Sequence, residues 1–239
     1  MKFIILTDTH FVPGNGELYG LRPKERLQQA IDVINREHLN ADFVLITGDL
    51  ANLGEVDAYQ SLKETLSSLQ LPYHLMVGNH DRRAAMMQVF PEAQLDQDGH
   101  LQFVIQANTP IVCLDTLDEG VHDGWICEKR LAWLDHQLGQ IAGDYILALH
   151  HPPFPVGIPS MDQISLRNPD QLWAVIQNRK PVQMLMGHIH RPIGGAWRGI
   201  PLQIQGATNH QVAFDERKIE RIPGSSEAPD FSKVIVSEY

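Results

Sequence analysis

Short apolar runs recur along this chain, and five of them stop at residues that can bind a metal. Residues 43–47 are followed by Gly48 and Asp49, residues 2–7 by Asp8, Thr9 and His10, and residues 73–77 by Gly78, Asn79, His80 and Asp81. Residues 145–149 run into His150 and His151, and residues 182–186 into Gly187, His188, Ile189 and His190. Runs of this length predict strands buried on both faces, as in a parallel sheet. Open α/β sheets place their ligands at the carboxyl ends of such strands. The pattern therefore aims Asp, Asn and His side chains at one rim.

Between these runs the apolar period lengthens. Leu27, Ala30, Ile31 and Ile34 form the stripe of an amphipathic helix over 24–38, and with the flanking runs this predicts a βαβ unit. Helices are also predicted over 55–69 (Tyr59, Leu62, Leu66, Leu69), 82–90, 128–141 (Leu131, Leu134, Leu138, Ile141) and 170–177. Residues 101–105 and 110–114 predict two strands where crossovers give way to hairpins, followed by short strands over 193–198, 202–206 and 211–215. Residues 11–23, with Pro13, Gly14, Gly16, Gly20 and Pro23, read as a surface loop. The alternative makes this loop a lip of the site, with Tyr19 and Leu21 in reach of substrate. Residues 1–215 are expected to form the catalytic domain. The remainder, 216–239, reads as a linker and a strand over 232–237, which joins the same domain or makes an oligomer contact.

At 239 residues the chain suits one large α/β domain. A net charge of −10 with no basic face argues against duplex nucleic acid as a partner. The expected partner is a small molecule, with a homo-oligomer left open. Residues 3–6 are too short for a signal-peptide core, and no apolar run approaches the roughly 18 residues of a membrane span, so a cytoplasmic protein with no membrane partner is expected. Cys113 and Cys127 show no metal-site spacing and imply no disulfide framework; reduced, buried thiols are expected.

Six of the twelve histidines (His10, His80, His150, His151, His188, His190) fall in the strand tails. Singly, each tail residue reads as a turn carboxylate or a satisfied core histidine. Together with Asp8, Asp49 and Asn79 they offer oxygen and imidazole donors suited to Mn, Fe, Co or Zn, without thiolate. A single catalytic metal takes about three protein ligands, so this set can dress two ions. Two divalent ions carry more charge than Asp8 and Asp49 return, and the positive pocket left over suits a phosphate ester.

The series Asp8-x-His10, Gly48-Asp49, Gly78-Asn79-His80-Asp81, His150 and Gly187-His188-x-His190 resembles, in order, the signature of the calcineurin-like metallophosphoesterases. Two further blocks are most similar to class III cyclic nucleotide phosphodiesterases and glycerophosphodiester phosphodiesterases. They are His150-His151-Pro152-Pro153 with Gly157, Met161-Asp162 and Asn168, and Ala207-Thr208-Asn209-His210-Gln211. The resemblance implies an α/β fold, a four-layer α/β/β/α sandwich of two mixed sheets flanked by helices. It assigns Asp8, His10, Asp49 and His190 to one metal and Asp49, Asn79, His150 and His188 to the other, with Asp49 bridging.

In this resemblance His80 faces the substrate, binding a phosphate oxygen and protonating the leaving alkoxide; the alternative is that it only orients Asn79 or Asp81. Asp81 is expected to hold His80, and His151 to support the site or touch substrate. Arg191 is expected to make a structural salt bridge rather than clamp phosphate, and His122, among others, to be a surface or structural residue. Ala51-Asn52 departs from the usual Thr-Asp and weakens any substrate inference from that turn. The reaction implied is hydrolysis of a small phosphodiester, a 3′,5′-cyclic nucleotide or glycerophosphodiester, by a metal-bound hydroxide. The runner-up is a phosphomonoesterase or nucleotide pyrophosphatase. From another class, an inactive scaffold would lack ligands or His80, whereas here the set is complete.

Overall fold

A computed structural model describes residues 1–215, 217 and 222–237. In chain order the elements begin with β1 (Lys2–Leu6), α1 (Pro23–Glu37), β2 (Phe43–Ile46), α2 (Val56–Leu66), β3 (Tyr73–Leu75) and α3 (Arg83–Val89). Then come β4 (Phe103–Ile105), β5 (Ile111–Leu114), α4 (Glu128–Gln140), β6 (Ile146–Leu149), α5 (Pro159–Asp162), α6 (Pro169–Ile176) and β7 (Gln183–Met186). The last strands are β8 (Ile193–Trp197), β9 (Ile200–Ile204), β10 (Gln211–Val212), β11 (Gly224–Ser225) and β12 (Ser232–Ile235).

The first sheet has the order β12-β1-β2-β3, with β1, β2 and β3 parallel. Helix α1 starts on Pro23, whose fixed φ suits the first helical turn. Its Leu27, Ala30, Ile31 and Ile34 are buried, each large apolar side chain contributing about 1.5–3 kcal/mol. The tail strand β12 pairs antiparallel with β1 of its own sheet, Lys2 opposite Ile235. Residues 216, 218–221 and 238–239 of the expected tail lie outside the described residues.

The second sheet runs β4-β5-β6-β7-β9-β8. The hairpin expected at β4 and β5 is present, but the chain then returns to crossovers, because β5, β6 and β7 pair in parallel. Strand β4 starts two residues later than predicted, since the Leu101 N–H is taken by the Asp115 carboxylate at 2.9 Å. Strand β9 lies two residues earlier than predicted: Arg198 and Gly199, both at positive φ, make a two-residue turn that pairs Trp197 with Ile200. The strand expected over 211–215 is only a two-residue pairing with β11.

Alternation along the second sheet sorts its two faces. Ile111 and Cys113 join the core shared with β1, β2, α1 and α2, whereas Val112 and Leu114 pack with Leu134 of α4 and Leu172 of α6. The result is two mixed sheets between helical layers, the α/β/β/α order expected. Cys113 is buried, but Cys127, in the residue before α4, is only half-buried, contrary to expectation. Among the described residues no helix is long and apolar enough to cross a membrane.

Candidate metal centre

The strand tails turn sharply to bring their side chains together. Asp8, His10, Asp49, His188 and His190 all have φ between 44° and 70°, five of the seven non-glycine residues at positive φ among those described. Such conformations cost about 1–3 kcal/mol each and persist only where the surroundings enforce them. Here the β1 and β2 tails bond to one another: the Asp8 N–H to the Gly48 carbonyl (3.0 Å) and the His10 N–H to the Asp49 carbonyl (2.9 Å). The 207–211 segment braces the same turn, its Thr208 and Asn209 N–H groups donating to the carbonyls of Thr7 (2.9 Å) and Asp8 (3.2 Å). Space is equally tight at Gly78, where a Cβ would sit 2.3 Å from Asp49 Oδ1 and 2.6 Å from His150 Nε2.

Asp81 is the fixed point beneath these turns. Its carboxylate accepts from the N–H groups of Leu50 (3.1 Å), Ala51 (3.1 Å) and Gly78 (2.8 Å) and from the Tyr59 hydroxyl (2.9 Å). It does not hold His80, as the sequence suggested. The His80 ring is fixed instead by its Nδ1–H, which donates to the Asn52 carbonyl at 2.7 Å. A backbone group does this work, so the Ala51-Asn52 departure leaves it intact.

One donor atom from each of Asp8, His10, Asp49 and His190 lies within 4.8 Å of all the others. His10 Nε2 and His190 Nε2 are 3.0 Å apart, and His190 Nε2 is 3.2 Å from Asp8 Oδ1. On the other side His150 Nε2 is 3.3 Å from Asp49 Oδ2, and the ring atoms of His150, His151 and His188 also fall within 4.8 Å of one another. Asp49 thus stands between the groups, its Oδ2 3.5 Å from His10 Nε2 and its Oδ1 accepting the His80 backbone N–H at 2.9 Å.

Hydrogen bonds sort the histidines by role. Nδ1–H of His150 donates to the Thr47 carbonyl (2.9 Å) and that of His190 to the His210 carbonyl (2.7 Å), which turns each Nε2 lone pair toward the carboxylates. His151, although fully buried beside His150, has both nitrogens engaged, Nδ1 with the Thr116 hydroxyl (2.7 Å) and Nε2 with the His122 carbonyl (3.2 Å). It has no free donor atom to offer.

A metal fits what remains. Asp8 Oδ1, Asn79 Oδ1, His150 Nε2 and His188 Nε2 are buried without a hydrogen-bond partner, which buried polar atoms rarely tolerate. Burial keeps His10 well below the usual histidine range, and burial with the neighbouring His150 lowers His188 to about 3, so both offer neutral imidazoles. Burial alone would lower His150 as well, but the Asp49 carboxylate overrides it and raises His150 to about 9. Burial opposes ionisation of Asp49, yet His150 and His80 hold it well below the carboxylate range. The same buried negative charge that draws a proton onto His150 attracts a cation.

Two further histidines, neither in a strand tail, stand beside the cluster. His122, expected as a surface or structural residue, is exposed and lines the pocket over the cluster, its Nδ1 accepting from Asn79 Nδ2 at 3.3 Å. His210 was noted only as part of a resemblance block; its ring lies 4.5 Å from His190 and 5.1 Å from His10. Arg191 lies outside this pocket, pairing with Glu227 through both guanidinium ends (2.9 and 2.7 Å) and donating to the Val212 carbonyl. Asp162 and Asn168 brace loops instead, Asp162 through the Val156 N–H and Asn168 through the backbone of Ile126.

Two mixed sheets between helices, with paired His/Asp clusters at the carboxyl ends of their strands, are the build of a metal-dependent phosphoesterase. The profile of the calcineurin-like phosphoesterases matches residues 1–192, and the chain belongs to that family. It is 51% identical over 243 residues to a protein of Rhodopseudomonas palustris named "probable cyclic nucleotide phosphodiesterase", covering 99% of this chain and 88% of that one. It is 30% identical over 218 residues to the glycerophosphodiester phosphodiesterase GpdQ of Enterobacter lignolyticus, covering 87% and 78% of the two chains. Its fold matches a purple acid phosphatase from yellow lupin with a TM-score of 0.71 at 13% identity, covering 97% of this chain and 48% of the phosphatase. The chain thus spans about half of that larger protein.

Proposed function

We propose that the chain is a dinuclear metal-dependent phosphodiesterase acting on a small phosphodiester, a 3′,5′-cyclic nucleotide or glycerophosphodiester, the classes in its relatives' names. Asp8, His10, Asp49 and His190 hold one ion and Asp49, Asn79, His150 and His188 the other, with Mn, Fe, Zn or Co suited to these donors. The observation that carries this reading is the convergence of two groups of buried donor atoms beside Asp49, among them Asp8 Oδ1, His150 Nε2 and His188 Nε2, which no hydrogen bond satisfies. When bound, two such ions supply a water-derived nucleophile near neutral pH and neutralise the phosphoryl oxygens.

The residues of the chain do the rest. His80, with Nδ1–H committed to Asn52, keeps Nε2 for the substrate and, as the imidazolium, gives the Nε2 proton to the departing alkoxide, leaving the neutral ring with Nδ1–H still on Asn52. Among the described residues no lysine or arginine lines the pocket, and Arg191 is spent on Glu227. The singly charged diester is therefore favoured over a dianionic monoester, which calls for more cationic contacts.

The test is hydrolysis of bis(p-nitrophenyl) phosphate beside p-nitrophenyl phosphate, with metal-stripped protein and with protein reloaded with Mn²⁺. The diester is expected to be preferred and the stripped protein inactive. Preference for the monoester, or turnover that survives stripping, would contradict the proposal.

A further inference from the structure

We infer that Tyr19 is the stacking platform of a nucleobase subsite, so that the organic arm of the diester is a nucleoside; this rests on the phosphodiesterase reading above. Tyr19 is 61% exposed. It opens a two-residue turn in which Leu18 and Leu21 exchange backbone hydrogen bonds of 2.8 and 3.0 Å, with φ of 55° at Tyr19 and 74° at Gly20. Turns of this kind favour Asn, Asp or Gly at the first position, and a bulky residue there is strained. The strain secures no core contact, because the ring is left largely in solvent.

The ring lies over the site. Its centroid is 4.7 Å from the His210 ring, which in turn is 4.5 Å from the His190 ring of the metal cluster. Tyr19 lines the same cavity of about 340 Å³ as His80, and the apolar side chains of Met161, Ile164, Val212 and Ile222 also line it. A phosphoryl group bound to metals makes no use of these four, and the hydroxyls of a glycerol arm would find no partners on them. A nucleobase presents two π faces to an aromatic ring and apolar surface to aliphatic walls. Base–aromatic stacking of this kind is worth about 5- to 150-fold in binding.

The experiment measures equilibrium binding to Mn²⁺-loaded protein of two probes, the slowly hydrolysed Rp-phosphorothioate of adenosine 3′,5′-cyclic phosphate and inorganic phosphate. In Tyr19→Ala the preference for the nucleotide analogue over phosphate is expected to fall about 5- to 150-fold, while Tyr19→Phe keeps it, because the ring and not the hydroxyl does the work. Three outcomes would overturn the inference: an unchanged preference in Tyr19→Ala, an equal loss in Tyr19→Phe, or no preference in the wild type. Failure of the phosphodiesterase reading shows separately, as absence of metal-dependent diester hydrolysis, since the binding comparison needs no turnover.

Discussion

Asp49, just beyond β2, and Asp115, just beyond β5, are both 1% exposed and both follow a fully buried apolar strand. Around Asp115 every acceptor position is met. The Arg83 guanidinium grips both oxygens at 2.7 Å, Arg130 approaches Oδ1 at 3.3 Å, and the Leu101 and Leu117 N–H groups donate at 2.9 Å. Asp49 has one backbone donor, from His80, and otherwise faces the Nε2 atoms of His10 at 3.5 Å and His150 at 3.3 Å. His150 and His151 repeat the contrast between adjacent residues, one with an unpartnered Nε2 and one fully bonded. Burial of a polar group after a strand does not mark a site; here several donors with unmet bonding capacity gathered around one carboxylate do.

The contrast can be broken from either side. Asp49→Asn keeps the shape and the oxygen that accepts from His80 but removes the bridging charge, and the diesterase rate should fall by more than about 10⁴-fold in steady-state assays of a protein that still folds. His80→Ala should cost about 10² to 10⁴ in rate with an alkoxide leaving group and much less with a nitrophenolate, which needs no proton. Equal losses with both leaving groups would assign His80 to phosphate binding instead. Asp115→Ala strands the Arg83 and Arg130 charges and should cost about 3–5 kcal/mol of stability in urea unfolding. Activity per folded molecule should change least of the three.

Most of this contrast was legible in part. The ligand-bearing tails stood out because a carboxylate, asparagine or histidine followed each apolar run, after a glycine in three of the five, and Gly78 shows why, with no room for a Cβ beside Asp49. Asp115 follows the same kind of run, and nothing in its local sequence says that Arg83 and Arg130 will satisfy it; those partners come from two helices. His122 was invisible for the converse reason. It sits in a loop with no strand pattern, and that loop reaches the site because Gly124 packs closely against the His151 ring. The sheet order around β8 and β9 was likewise hidden, since a turn at Arg198 and Gly199 and not the hydrophobic pattern sets their register.

The most direct test of the central claim, that the unmet donors around Asp49 hold a pair of ions, is the metal content of the protein. Stripped protein is reloaded with Mn²⁺, freed of excess, and its metal counted against protein by mass spectrometry, with Asp49→Asn in parallel. The account predicts about two ions per wild-type chain, from a set of donors too large for one ion, and fewer in the variant. One ion or none per wild-type chain, or the same count in both proteins, would contradict it.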